Sequence, residues 1–485
     1  MRGHCASTII GLGTPLALVL GLVYGVPAQA VDPPPNVLVI LIDDARTDEM
    51  DTMPVVSSSI AAAGATFSNS YAPFPLCCPD RATLLTGQYA HNHGVLGNEP
   101  PLGGFPAFDD SRTLAMWLGP AYDTAWVGKY LNAYGEDATS IQYVPPGWDT
   151  WNAAVAPIDY RRSTFSINGQ TTVFDGQYRT DVTRDLALDF LTEATQDPTE
   201  PFFLFTSFNA PHSGTPAEPD DPNRVYGSTR YKTPNVADEF RDAFADRPLD
   251  VNPAFNEADV SDKPVRPPAL QPWEIDALTE VSAQRRESLL SVDAAIQQMI
   301  GLLTESGQLE NTYVIFTNDN GYLLGEHRLQ DGKNVLYEPA VSVPLYIRGP
   351  GIAAGTVVPQ LVGAQDVAPT ILSMAGLSGT QGDFVIEGVD LLPMIDDPTL
   401  YAERPIVLEV GPAPANPDGP YRFRGIRTPQ WKYWERSSGR AELYDMVRDP
   451  FELRNVVRDP QYADVRAEMD ALLEQYKNCA GESCR

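Results

Sequence analysis

Apolar residues gather into short runs that break off at polar clusters. Residues 36–44 read NVLVILIDD, residues 201–212 read PFFLFTSFNAPH and residues 311–321 read NTYVIFTNDNG. Each run is β-rich and closes on carboxylates, amides or a histidine, the pattern of a buried strand followed by a polar loop. Helical spacing fits TDVTRDLALDFLTEAT, the stretch from Trp273 to Glu305, and DVAPTILSMAG. Strand, polar loop and helix in succession predict an α/β fold, a large mixed, mostly parallel sheet flanked by helices, with sites at the carboxyl ends of strands. From Glu387 the pattern changes to short strands, RPIVLEV, RFRGIRT and WKYWER, then ELYDMVRDPFELRNVV and a last helix from Gln461 to Lys477. This predicts a smaller C-terminal antiparallel-sheet subdomain. Residues 216–268 are rich in proline and aspartate and poor in apolar residues. They are expected to form a long surface insertion that shapes a substrate entrance.

The first thirty residues carry one early arginine, an apolar stretch from Thr8 to Val26, and Ala28-Gln29-Ala30. These are the parts of a secretory signal with a small-residue cleavage site. An uncleaved anchor is the alternative, and the glycine and proline interruptions count against it. The expected organisation is a signal peptide over 1–30, a catalytic domain over 31–386 and a C-terminal subdomain over 387–485. The mature chain is expected outside the cytoplasm, with no stable membrane insertion after cleavage.

Acidic residues outnumber basic ones, 64 to 34, for a net charge of −30. That disfavours nucleic acid, whose phosphates need clustered Lys and Arg, and makes a small anionic substrate an easier partner than a long polyanion. The lysines are only Lys129, Lys232, Lys263, Lys333, Lys432 and Lys477. Of the five cysteines, Cys5 lies in the leader, and Cys479 and Cys484 in NCAGESCR are close enough for a small disulfide loop in an oxidising compartment. Free thiols in a frayed end are the other possibility. Cys77 and Cys78 stand together in PLCCPDRATLLTG.

Asp43 and Asp44 follow the first run, and Asp319 and Asn320 follow another. Converging from two strand ends, they would suit a hard cation, Ca²⁺ or Mg²⁺, although either pair alone is more readily a turn former. Lys129 in AWVGKY, His212 in NAPHSG and Lys333 in DGKNVLYE also follow strand-like runs. They would supply positive charge for a tetrahedral anion and a proton for a leaving oxygen. His91 and His93 read as structural or rim residues, since no cysteine is placed by the sequence to complete a zinc set with them.

CCPDRATLLTG resembles the signature of the sulfatase family, with Cys77, Pro79 and Arg81 at its defining positions. ILIDDAR, GKYLNAYG, NAPHSG, NDNGYLLGEHRL, GKNVLYE, VPLYIRGPG and ELYDMVRDPFELRN are similar to family segments in the same order, from Asn36 to Asn455. The paired cysteines, KYLNAYG and NHGV are closest to the N-acetylglucosamine-6-sulfatases. The resemblance implies that a formylglycine-generating enzyme oxidises Cys77 to formylglycine, with Cys78 the variable neighbour. It implies a calcium ion held by Asp43, Asp44, Asp319, Asn320 and modified Cys77. Arg81, Lys129, His212 and Lys333 would surround the reacting group; many sulfatases have histidine where this sequence has Leu131, and Asn132 would substitute for it in substrate contact. Asp80 stands where many have serine. The implied activity is hydrolysis of a small sulfated substrate, a sugar such as N-acetylglucosamine-6-sulfate or an aryl sulfate. A phosphodiesterase or phosphonate monoester hydrolase on the same scaffold, or a binding protein with Cys77 unmodified, are the alternatives. Many such phosphohydrolases have histidine at the position of Asn320.

Overall fold

Seven consecutive buried residues, Asn36–Ile42, form the central strand β1. Val37, Val39 and Leu41 point into one hydrophobic core, and Leu38, Ile40 and Ile42 into another. A strand covered on both faces has no polar side to present, so its sequence is an unbroken apolar run. The computed structural model describes residues 34–330, 332–377, 380, 381 and 384–485, with residues 1 and 3. The leader expected over 1–30 falls almost wholly outside the described residues.

Around β1 lie β2 (Ala65–Tyr71), β3 (Asp123–Lys129), β4 (Thr150–Val155), β5 (Arg162–Ile167), β6 (Gln170–Asp175), β7 (Phe202–Ser207), β8 (Thr312–Asn318), β9 (Leu345–Arg348) and β10 (Thr356–Gly363). Their order across the sheet is β10-β2-β9-β8-β1-β7-β3-β4-β5-β6. The centre is parallel, β8, β1, β7, β3 and β4 all running one way, and antiparallel pairs appear toward the edges. The principal helices are α1 (Cys77–Thr86), α2 (Arg179–Ala194), α3 (Pro272–Glu305), α4 (Val367–Met374) and α5 (Ala463–Tyr476). Helices α1 and α4 cover one face of the sheet, α2 and α3 the other.

A second sheet is antiparallel, with strands Ile406–Val410, Phe423–Arg427, Trp431–Arg436 and Ala441–Asp445 in chain order. Helix α5 lays Met469 and Leu473 against its Val407, Ile426, Tyr433 and Leu443. Residues 34–485 form one compact unit. Among the described residues no helix is long and apolar enough to cross a membrane.

The expected surface insertion at 216–268 needs correction, because part of it is interior: Tyr231, Val236, Ala237, Ala254 and Val260 are buried. Its polarity is internalised by pairing. Buried Glu218 accepts hydrogen bonds from Asn235 Nδ2 (3.1 Å), the Val236 amide (2.7 Å) and Arg241 Nε (2.8 Å).

Candidate active site

The register of the central sheet brings the polar strand ends together. Ile42 lies opposite Asn318 on β8, so the residues that follow, Asp43-Asp44 and Asp319-Asn320, leave the sheet side by side. On the other flank Leu41 pairs with Ser207 and Gly128 pairs with Ser207, which sets Lys129 and the loop to His212 along the same edge. Asp44 turns with φ 67°, a left-handed conformation that a short polar side chain tolerates. The turn is held by its amide donating to Asp319 Oδ1 (3.2 Å) and by Arg285 of α3 donating to its carbonyl (2.6 Å).

Helix α1 delivers Cys77 to this edge. Leu76 is extended, and Pro79 sits in the first turn, where its missing N–H has no intrahelical acceptor to lose. The Cys78 amide donates instead to Asn98 Oδ1 (3.0 Å). Cys77 Sγ lies 3.6 Å from Asp43 Oδ1, 3.9 Å from Asp44 Oδ1 and 2.8 Å from Lys333 Nζ. Lys129 donates to Asp43 Oδ2 and Lys333 to Asp44 Oδ1. Arg81, one turn along α1, donates through Nε to Asp319 Oδ2 (2.8 Å) and through Nη1 to the Lys129 carbonyl and Ser207 Oγ (both 2.8 Å); its Nη2 is 3.6 Å from Asp43 Oδ2. His212 Nδ1 lies 2.7 Å from the Ser213 carbonyl, so a proton there leaves Nε2 facing Asp44 Oδ2 at 3.7 Å.

Burial shapes the electrostatics first, and the lysines then reverse it selectively. Burial alone would raise Asp43, but Lys129, His212, Arg81 and Lys333 hold its carboxyl well below the usual range. Asp319 is pushed up to about 6 by burial and by the charge on Asp43. Burial also pushes the Cys77 thiol up to about 12 and lowers His212. Unmodified Cys77 is therefore a protonated thiol, a weak nucleophile despite its lysine neighbours.

The donor set is oxygen-rich and anionic, the preference of a hard divalent cation. Asn320 fits it: its Nδ2 donates to Asp44 Oδ1 (2.8 Å), while its buried Oδ1 has no hydrogen-bond partner. Asp43, Asp44, Cys77 and His212 can together offer ligand atoms within 4.8 Å of one another.

Of the residues named from sequence, Asp43, Asp44, Cys77, Arg81, Lys129, His212, Asp319, Asn320 and Lys333 converge. Asn132 lies just beyond β3, where its carbonyl accepts from the Phe105 amide (2.7 Å) and its Oδ1 is buried without a partner. The sulfurs of Cys479 and Cys484 are at bonding distance, 2.08 Å. His91 meets Glu409 (3.0 Å) and the Cys479 carbonyl (3.0 Å), and His93 meets Thr83 Oγ1 (3.1 Å). The fold does bring a cysteine to His91, contrary to the sequence expectation: Cys479 Sγ is 4.0 Å from Nε2. Its sulfur is engaged with Cys484, so no thiolate is available to a metal. Sequence reasoning passed over Asn98, Ser207 and Arg285, which support the site through single hydrogen bonds.

A family model described as Sulfatase matches residues 35–377, and one described as N-sulphoglucosamine sulphohydrolase, C-terminal, matches residues 325–479. The N-acetylglucosamine-6-sulfatase of Homo sapiens is 32% identical over 532 residues, spanning 97% of this chain and 89% of its own. The arylsulfatase of Volvox carteri is 33% identical over 508 residues, spanning 94% and 76%. A protein solved in complex with its substrate D-glucosamine-2-N,6-O-disulfate superposes with a TM-score of 0.70 at 24% identity, over 91% of this chain and 97% of the other.

Proposed function

The chain belongs to the sulfatase family and is a sulfuric ester hydrolase, and from that premise we propose that it removes the 6-sulfate of a glucosamine-type sugar, using formylglycine made from Cys77 and a calcium ion. The observation that carries the reading is the placement of Cys77 Sγ, 2.8 Å from Lys333 Nζ and 3.6 Å from Asp43 Oδ1. Asp43, Asp44, Asp319 and Asn320 would hold the cation together with modified Cys77. Formylglycine would supply a geminal diol as nucleophile and calcium the Lewis acidity that raises its reactivity. Lys129 and Lys333 neutralise the non-bridging sulfate oxygens, and Arg81 fixes Asp319 and Asp43 in orientation. Asp319, with its carboxyl near 6, is suited to take a proton from the nucleophile, while Lys333 returns one to the departing alcohol and His212 would do so only after Nε2 has itself taken up a proton.

A cavity of about 420 Å³ opens beside His212, lined by Ser213, Thr215, Asn223 and Lys232 among others, which supports a sugar-sized polar substrate. Asn132 is assigned to substrate contact from its position beyond Lys129. The 31–386 segment would carry the chemistry and 387–485 the supporting subdomain, in a protein exported by its leader, matured by a formylglycine-generating enzyme and closed at its tail by the Cys479–Cys484 disulfide. The arylsulfatase relative favours aryl sulfates as a second substrate class.

Mass spectrometry of the tryptic peptide containing Cys77 tests the reading. An aldehyde at Cys77 is expected, and two intact thiols or a Cys77–Cys78 disulfide would remove the mechanism. Turnover of N-acetylglucosamine-6-sulfate is expected to exceed that of an aryl sulfate, to vanish in Cys77→Ser and to survive in Cys78→Ala.

A further inference from the structure

Arginines in this molecule are generally paired inside it: Arg285 with Glu49, Arg404 with Asp366 and Arg241 with Glu218 are representative. Among the described residues a minority of arginines lack a carboxylate partner, Arg179, Arg328 and Arg422 for example, which meet carbonyl or amide oxygens instead. One cavity gathers four of them. It has a volume of about 560 Å³ and lies where the end of the 216–268 insertion meets the hairpin Gly439-Arg440 and helix α5. Lys263, Arg266, Arg440, Arg458 and Arg466 line it. Among the described residues Arg266, Arg440, Arg458 and Arg466 form no ion pair with a carboxylate; Arg266 Nε donates to the Lys263 carbonyl (3.1 Å) and Arg440 Nη1 to the Pro264 carbonyl (2.9 Å).

The acids at hand are already engaged. Lys263 Nζ lies 3.1 Å from Glu257 Oε1 and 3.5 Å from Asp262 Oδ1, and Asp262 Oδ2 accepts the Asn455 amide (2.6 Å). Carbonyl contacts orient guanidinium groups without neutralising them, so four arginines without a carboxylate partner face one concavity in a chain of net charge −30. The volume exceeds the need of one sulfate ion and suits a ligand carrying several anionic groups.

We propose that this cavity is a second anion-binding site, separate from the Cys77 cluster, that holds the sulfate or carboxylate groups of an acidic oligosaccharide. The choice of ligand rests on the sulfated-sugar reading of the catalytic site; the existence of the site does not. A substrate longer than a monosaccharide is then compatible with so acidic a protein, because the local charge opposes the net charge.

The test is titration calorimetry of the full chain and of the double variant Arg458→Ser/Arg466→Ser with a heparin tetrasaccharide. Both positions are exposed, so thermal midpoints should coincide and hydrolysis of p-nitrophenyl sulfate should be unchanged. At low salt the double variant should bind the tetrasaccharide at least about tenfold more weakly, with a shallower salt dependence. Equal binding by both proteins overturns the proposal, as does uncharged chitotetraose binding as tightly as the sulfated probe. Inorganic sulfate matching the tetrasaccharide's affinity overturns the oligosaccharide assignment. Arginine-dependent binding by a protein without sulfatase activity would sink the catalytic reading and leave this site standing.

Discussion

Two neighbours on α1 show how much a single residue's surroundings decide. Arg81 is buried with its Nε on Asp319 and its Nη1 shared between the Lys129 carbonyl and Ser207. Asp80 is equally buried, yet neither carboxyl oxygen has a well-formed hydrogen bond, and burial with the nearby Asp319 charge, only partly offset by the Phe74 amide and Arg81, pushes its pKa well above the usual range. The folded state thus keeps a proton that the unfolded chain releases, so stability falls as pH rises from the ordinary carboxylate range, about 4, toward the raised folded value. Asp80→Ser should therefore raise stability at neutral pH by about 1–3 kcal/mol, the cost of a buried unsatisfied group. The gain should shrink as the pH falls toward about 4 and level off below it, where Asp80 is protonated in both states. Chemical denaturation at several pH values checks this, and a gain independent of pH would show that the carboxyl's titration is not the cause. At this scale Cys77 and Arg81 were legible because a linear motif carries them. Asn98 and Ser207 were not, since a lone amide or hydroxyl that completes a site has no spacing to betray it.

The element that matters most is α1, whose first turn presents Cys77 and whose end is set by Gly87. There φ is 69°, and a Cβ would stand 2.5 Å from Ile386 Cγ2. Left-handed backbone alone costs a residue with a Cβ about 1–2 kcal/mol, and the contact with Ile386 adds to it. Gly87→Ala should lower the unfolding midpoint and, by tilting α1, reduce kcat more than KM; an unchanged midpoint would mean that the helix end can relax into neighbouring space. Periodicity made the long helix α3 and the strands β1, β7 and β8 legible, because each is apolar on the schedule its burial demands. The hairpin of β5 and β6 went unread although Asn168-Gly169, with φ 48° and 79°, is the turn signal such a pair requires. Strand β2, ATFSNSY, hid because half its positions are polar and it pairs through neighbours distant in sequence, β10 and β9. Long-range pairing leaves no local mark.

Across the whole molecule, net charge and local charge diverge, and only the first is visible in a sequence. The −30 total argues against a broad basic face, but it could not reveal that, among the described residues, four arginines without a carboxylate partner meet at one cavity or that three carboxylates crowd one strand edge. Asp43, Asp44 and Asp319 are held together in the fold by Arg81, Lys129 and Lys333, and they separate when the chain unfolds. A divalent cation that binds this arrangement binds only the native state, so it must stabilise that state by mass action, about 2.7 kcal/mol at one hundred times the dissociation constant. Calorimetry at constant ionic strength should therefore show the unfolding midpoint rising with calcium and falling when a chelator is added. Holding ionic strength constant separates this effect from general screening of an acidic protein. Magnesium should raise the midpoint less, since it demands tight octahedral geometry and keeps its waters. Asn320→Ala removes one neutral oxygen and should shift the calcium response to higher concentration without abolishing it. A midpoint indifferent to calcium in the wild-type protein would take the metal out of the catalytic reading, and Lys129 and Lys333 would then remain as the positive charge opposite Asp43 and Asp44.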